Sequence, residues 1–262
     1  MGAVTILSCT PAQRSANIAD AAGVLATGGL VVLPTDTVYG IAADAFDPDA
    51  VAALLAAKGR GRQMPPPVLV ASATMLDVLA VGVPASARAL AEAFWPGALT
   101  IIVRAQPSLT WDLGETAGTV ALRMPDHEVA LDLLRTTGPL AVSSANRTGQ
   151  PAATNAQDAV AQLGARVARY LDDGEAPGGQ SSTIVDATTA QLTIVREGAI
   201  GREQLAAVVP HLRTVVAEPT AEPTAEPTEE PASAPTAATD APRQQPTDAV
   251  DDVAPPADEA RG

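Results

Sequence analysis

The tetrapeptide Ala-Glu-Pro-Thr, repeated at 217–220, 221–224 and 225–228, limits what this chain can fold into more than any other feature. From there to residue 262 Pro, Ala, Thr, Asp and Glu dominate, and no aromatic residue occurs. Such a stretch buries too little apolar surface to offset the entropy of ordering it, so a disordered acidic tail is expected. Its eleven acids against two arginines take −9 of the chain's net −14 and leave −5 for everything before it. The core must therefore be built upstream, with one folded domain expected at 1–214 and the tail at 215–262. A body of that size suffices for one continuous core.

Few aromatics are available to fill that core: Tyr39, Phe46, Phe94, Trp95, Trp111 and Tyr170 are the full set, which leaves the work to Val, Leu, Ile and Ala. Cys9 stands alone, so neither an intrachain disulfide nor a cysteine-based zinc site is expected. His127 and His211 lack a His-Glu-x-x-His context, which argues against a zinc enzyme, and no metal-ligating residues are assigned. There is no apolar run long enough to cross a membrane and no basic-then-apolar leader, so a soluble, cytoplasmic protein without membrane association is expected.

Along the chain, Ile18, Ala21, Ala22 and Leu25 space a helix over 15–27 that stops at Gly28-Gly29, and 30–33 reads as a buried strand ending at Pro34. The next stretch, Pro34-Thr35-Asp36-Thr37-Val38-Tyr39-Gly40, is too polar for a buried strand. It is either a turn capped by its own side chains or a ligand contact of the kind α/β proteins place at strand ends. Asp47-Pro48 reads as an N-cap and first-turn proline, and Val51, Leu54 and Leu55 carry the helix to Lys58.

There the chain turns through Lys58-Gly59-Arg60-Gly61-Arg62, three cations and two glycines, with Lys58 the sole lysine of the protein. Two readings stand. The cluster is a solvated helix end with Gly59 as C-cap, or a site for a polyphosphate or carboxylate approached by backbone N–H groups.

Further strands are expected at 68–71, 100–104, 119–124, 139–142, 169–171, 184–186 and 192–196. Helices are expected at 74–80 and 86–94, after a cap at Asp126, from a cap at Thr154 to Leu163, and at 201–209. In the strand Thr119–Met124, Val120 and Leu122 alternate with Ala121 and Arg123; Arg123 is a solvated or paired strand-end charge, or an anion site. Ser143-Ser144-Ala145-Asn146-Arg147-Thr148-Gly149 and the glycine loop before Ser182-Thr183 suit nucleotide contact and also suit ordinary turns. Strands and helices mix without strict alternation, which favours an α/β fold with a mixed sheet over a plain dinucleotide fold. No Gly-x4-Gly-Lys-Ser/Thr occurs, so ATP, if bound, is not held by a Walker loop.

Seven of these stretches together, 34–40, 58–62, 94–100, 120–125, 143–149, 181–186 and 195–198, resemble in their order the YrdC-like threonylcarbamoyl-AMP synthase family, over roughly residues 15–209. The resemblance implies a twisted mixed β-sheet surrounded by helices with a concave ligand cleft, in the single-domain form of the family. It implies that L-threonine, bicarbonate and ATP, with Mg²⁺ accompanying the nucleotide, yield threonylcarbamoyl-AMP and pyrophosphate. A downstream complex then transfers the threonylcarbamoyl group to tRNA. The family's Lys-x-Arg and Ser-x-Asn signature falls on Lys58 with Arg60 and on Ser144 with Asn146. It further implies that Lys58 and Arg60 carry catalysis, that Lys58, Arg62, Thr119, Ser144, Asn146 and Arg196 bind ATP, and that Thr35, Arg123, the Val142 backbone and Ser182 bind threonine. Pro67 and Ala152 depart from polar residues of the family pattern. On this reading, alanine at Lys58 or Arg60 is expected to abolish adenylate formation with the fold intact.

Two alternatives belong to other classes. One is a double-stranded RNA-binding module of the same fold without synthase activity, or weak RNA contact beside that activity; a folded part near −5 is a poor polyanion binder. The other is the carbamoyl-transfer domain of hydrogenase maturation proteins, whose acylphosphatase-like and zinc-finger modules are absent from this sequence.

Overall fold

The computed structural model describes residues 4–214, so the expected disordered tail lies outside the described residues. In chain order the elements are β1 (Ile6–Ser8), α1 (Arg14–Leu25), β2 (Val31–Leu33), β3 (Gly40–Asp44), α2 (Pro48–Lys58), β4 (Val68–Leu69), α3 (Met75–Leu79), β5 (Ala80–Val81) and α4 (Ala85–Phe94). They continue with β6 (Leu99–Ala105), β7 (Thr119–Arg123), α5 (Glu128–Thr137), β8 (Leu140–Ser144), α6 (Ala156–Leu163), β9 (Arg169–Asp172), β10 (Thr183–Asp186), β11 (Thr193–Arg196), α7 (Arg202–Val208) and β12 (Arg213–Thr214).

All strands join one sheet in the order β1-β9-β2-β3-β8-β4-β7-β6-β10-β11-β12, with β5 beside β6. Parallel neighbours such as β4 and β7, or β6 and β10, alternate with antiparallel ones such as β3 and β8, or β6 and β7. This is the mixed α/β sheet expected from the lack of strict alternation.

Period-two alternation decides what each face of that sheet does. In the β1–β8 half both faces are covered. Val31, Leu33 and Ala42 pack under α1 and α5 through Ile18, Leu25, Val129 and Leu133. Val32, Ile41 and Ala43 pack under α2 and α6 through Leu54, Ala57, Ala159 and Leu163. Each fully buried leucine there contributes about 1.5–3 kcal/mol. In the other half Ile101, Val103, Leu122 and Val185 meet α3, α4 and α7 on one face only. Their alternates, Thr100, Ile102, Thr119, Ala121, Arg123, Ser182 and Ile184, line a cavity on the opposite face.

Local chemistry sets the ends of α2. The Asp47 carboxylate accepts from the Asp49 and Ala50 amides, and Gly59 closes the helix at φ 69°, a left-handed conformation that glycine adopts without strain. Two expected caps are corrected. Asp126 does not cap α5: its amide donates to Asp36 Oδ1, and the residue before the helix is His127, whose side chain makes no cap. Thr154 likewise yields to Asn155, whose side chain accepts from the Asp158 amide.

Candidate active site

The cavity, about 360 Å³, is floored by the uncovered face of the sheet and walled by the Thr35–Gly40 loop, the Pro65–Pro67 run and residues 113–116. Three guanidinium groups face it, from Arg60, Arg123 and Arg196.

Arg123 ends β7 on the cavity side of the alternation and is almost fully buried. Its Nε donates to Gly97 O at 3.0 Å, Nη1 to Thr37 Oγ1 at 2.9 Å and Nη2 to Asp36 Oδ1 at 2.5 Å. These bonds use three of the five guanidinium N–H groups and leave one on each terminal nitrogen, a fork suited to a carboxylate. The loop presenting these partners is shaped by its own hydroxyls: Thr35 Oγ1 donates to Val38 O at 2.6 Å and accepts from the Thr37 amide at 3.2 Å. Pro34–Gly40 is thus a self-capped turn and a cavity wall at once. Beside it, Ser182 and Thr100 share a buried hydroxyl contact of 2.8 Å, and Arg196 grips the Ser182 carbonyl through Nε and Nη2.

Gly198 makes that grip possible. A Cβ on it would run into the carbonyls of Ser181 and Ser182, and its amide donates to Thr183 Oγ1 at 2.9 Å. Gly198→Ala is therefore expected to displace the Ser181-Ser182 wall and raise the KM for whatever small ligand this cavity takes by about tenfold or more, since a shift of about 1 Å in such a wall is costly. Substrate titrations on the variant check this, and an unchanged KM would refute it.

The cationic loop divides its work. Arg60 lines the cavity; Nη1 donates to Ser143 Oγ at 3.2 Å, and Nε is buried with no partner among the described residues. Burial lowers the pKa of Arg60, and burial followed by the nearby Arg60 charge does the same to Arg196. Asp36 neutralises Arg123 alone. The wall is thus a desolvated cluster of positive charge that an anion stabilises.

Lys58 lies behind this wall, 1 % exposed. Its ammonium donates to Ser144 O, to Asn146 O at 2.7 Å and to Asn146 Oδ1 at 3.2 Å, while its own carbonyl accepts from the Thr148 amide at 2.9 Å. Burial, then the charge of Arg60, pushes its pKa down to about 7. Asn146 also braces the loop from behind, donating through Nδ2 to Arg147 O and Gln150 O. Arg62 points outward and pairs with Asp112 at 2.7 Å.

Of the residues assigned by resemblance, Thr35, Arg60, Thr119, Arg123, Val142, Ser144, Ser182 and Arg196 line the cavity. Lys58 and Asn146 form a bonded unit behind Ser144, and Arg62 is drawn to the 106–118 loop. The Val142 amide is taken by Pro67 O at 2.8 Å, so the two departures from the pattern differ in consequence: Pro67 lines the cavity, whereas Ala152 does not. Sequence reasoning placed Thr37 and Ser143 within candidate contact stretches without a role, and it missed Asp36 as the partner of Arg123 and the cavity positions of Thr100 and Glu115. Thr100 was findable, since its alternation with Ile101 in an apolar strand sets a hydroxyl on the Ile102 face.

The family model for Sua5/YciO/YrdC, described as telomere recombination, matches residues 23–198. A Mycobacterium tuberculosis relative is 54% identical over 199 residues, covering 76% of this chain and 92% of its own. The Bacillus subtilis threonylcarbamoyl-AMP synthase is 40% identical over 195 residues, 73% of this chain and 56% of that protein. Among solved structures, Pyrococcus abyssi Sua5 complexed with L-threonine superposes with a TM-score of 0.76 at 34% identity, covering 80% of this chain and 62% of that one. Escherichia coli YciO, at 22% identity and a TM-score of 0.69, shares the fold.

Proposed function

This chain belongs to the Sua5/YciO/YrdC family, and from that membership we infer that it is a threonylcarbamoyl-AMP synthase, a nucleotidyltransferase acting on L-threonine, bicarbonate and ATP. The observation that carries the reading is the convergence of Arg60, Arg123 and Arg196 on one cavity in which Asp36 pairs with only one of them. Such a wall suits substrates that are all anionic or carry a carboxylate.

In this reading the threonine carboxylate takes the two remaining N–H groups of Arg123, and its polar side chain meets Thr35, Thr37, Thr100 and Ser182. The threonine ammonium gives up a proton, and the free amine adds to bicarbonate carbon with loss of water, giving a carbamate. A carbamate oxygen then attacks the α-phosphorus of ATP in line, the bond to the bridging oxygen breaks, and pyrophosphate leaves with the electron pair. Two anions must approach for this step, so fixed positive charge and exclusion of water provide most of the help, and no covalent enzyme intermediate is needed. Arg60 and Arg196 neutralise the phosphates, and Ser144 and Thr119 supply hydroxyls. Mg²⁺ accompanying ATP adds charge neutralisation when bound.

Lys58 and Asn146 act in this scheme by holding Ser144. The product passes to a downstream complex that modifies tRNA. The reading places a single synthase domain at 1–214, followed by an acidic tail, in the cytoplasm; no helix among the described residues is long and apolar enough to cross a membrane.

Pyrophosphate release by the full chain with ATP, bicarbonate and Mg²⁺ tests this. Release is expected only with L-threonine and is expected to be lost with serine or without bicarbonate. No release from the folded protein under any of these conditions would overturn the assignment.

A further inference from the structure

Among the described residues lining this cavity Glu115 is the only carboxylate, and the other charged groups there are the guanidinium groups of Arg60, Arg123 and Arg196. Its carboxylate makes no hydrogen bond or ion pair among the described residues, yet its backbone is held firmly. The Glu115 amide donates to Arg62 O at 2.8 Å, and a Cβ on the neighbouring Gly114 would lie 2.6 Å from that same oxygen. The Gly114 amide donates to Asp112 Oδ1 at 3.0 Å, and Asp112 in turn pairs with the Arg62 guanidinium. One backbone hydrogen bond, one glycine contact and one ion pair thus fix this segment to the cationic loop, and the Gly114 amide orients the carboxylate that makes the ion pair.

A lone carboxylate facing a polyphosphate repels it unless a cation stands between them. Two cations are available in the proposed reaction, the threonine ammonium and the divalent ion that travels with ATP. Position decides between them. Thr119 and Arg123 lie at opposite ends of β7, roughly 13 Å apart at strand spacing, and Glu115 lies beyond the Thr119 end, beside Arg62. A threonine clamped by Arg123 is thus held at the opposite end of the strand from Glu115. Mg²⁺ is held by one or two carboxylates together with substrate phosphates and keeps several waters, which suits an exposed carboxylate at a cavity mouth.

We propose that Glu115 is the protein's ligand, direct or through one water, to the divalent cation carried by ATP. This rests on the proposed synthase reading, in which the nucleotide phosphates lie at the Thr119 end.

The test compares the full chain with its Glu115→Gln variant, in the absence of threonine and bicarbonate so that nothing turns over. Free Mn²⁺ is counted by its paramagnetic resonance signal in the presence of protein and ATP, and metal-free ATP binding is measured by calorimetry with a chelator. In the variant, Mn²⁺ affinity of the protein·ATP complex is expected to fall roughly ten- to hundred-fold. Metal-free ATP is expected to bind the variant as tightly as the wild type or tighter, because a repulsive charge is gone. Equal Mn²⁺ affinity in the two complexes would overturn the proposal and leave the synthase reading standing. Failure of the wild-type chain to bind ATP with or without metal would overturn both.

Discussion

Replacing Arg60 with alanine is expected to lower kcat/KM for threonine-dependent pyrophosphate release by about 10²–10³, the usual cost of removing one preorganised charge from a developing anion, while leaving the thermal midpoint unchanged or higher. The two halves of this expectation have the same cause. Arg60 is held beside Arg196 in a desolvated wall, its Nε has no partner among the described residues, and one hydroxyl, Ser143 Oγ, is the only hydrogen-bond partner of its guanidinium there. Deleting it removes a cation that destabilises its surroundings until an anion arrives, and with it the charge that meets the phosphates. Steady-state kinetics and a melting curve on the same preparation check both halves. A variant that loses activity by unfolding, or one that turns over normally, would refute the role assigned to Arg60.

The same physics explains which parts of the molecule the sequence displayed. Helices such as α2 announced themselves because their signals are local: Asp47 caps the amides two and three residues on, and Gly59 turns the chain out of the helix. Strand β3 was missed. Its sequence, Gly-Ile-Ala-Ala-Asp, has one β-branched residue, and it is a strand because β2 and β8 flank it on both sides. The cap at Asp126 failed for a similar reason, since its amide is bound by Asp36, ninety residues away in sequence.

The alternation of Val120 and Leu122 with Ala121 and Arg123 was legible, and in the structure it separates the packed face from the cavity face. What spacing could not tell is the direction of a helix-end side chain. Lys58 ends α2 with its ammonium turned beneath the Ser144–Asn146 loop, because three oxygens there match its three N–H groups. Glu115 was invisible because its segment has no periodicity and reaches the cavity through backbone contacts with Arg62.

Lys58→Met is therefore expected to differ from Arg60→Ala in a measurable way: the fold stays intact but is less stable. Activity is expected to fall by at least about 10²-fold, since Ser144 is no longer held. Here, however, the variant also leaves the buried Asn146 carbonyl without its donor, while the Ser144 carbonyl keeps the Asn146 amide and Asn146 Oδ1 keeps the Ser144 hydroxyl, at about 1–3 kcal/mol, or roughly 2–12 °C in the melting midpoint. Titration gives a second signature. In the folded protein Lys58 loses its proton near pH 7, whereas in the unfolded chain it keeps it to about 10.4. Between those values the unfolded state binds more protons, so this group makes stability rise with pH across that window and sit at its lower level below pH 7. Catalysis is expected to move the opposite way, declining as pH rises through about 7, because a neutral amine has two N–H groups for three oxygens. A wild-type protein that grows more stable while losing activity over the same interval, beside a methionine variant in which the stability rise due to this group is gone, is the outcome that assigns the titration to Lys58. Activity that holds steady from pH 7 to 9 in the wild type would mean that the loop keeps its shape without the third hydrogen bond, and the role of Lys58 would then be confined to stability.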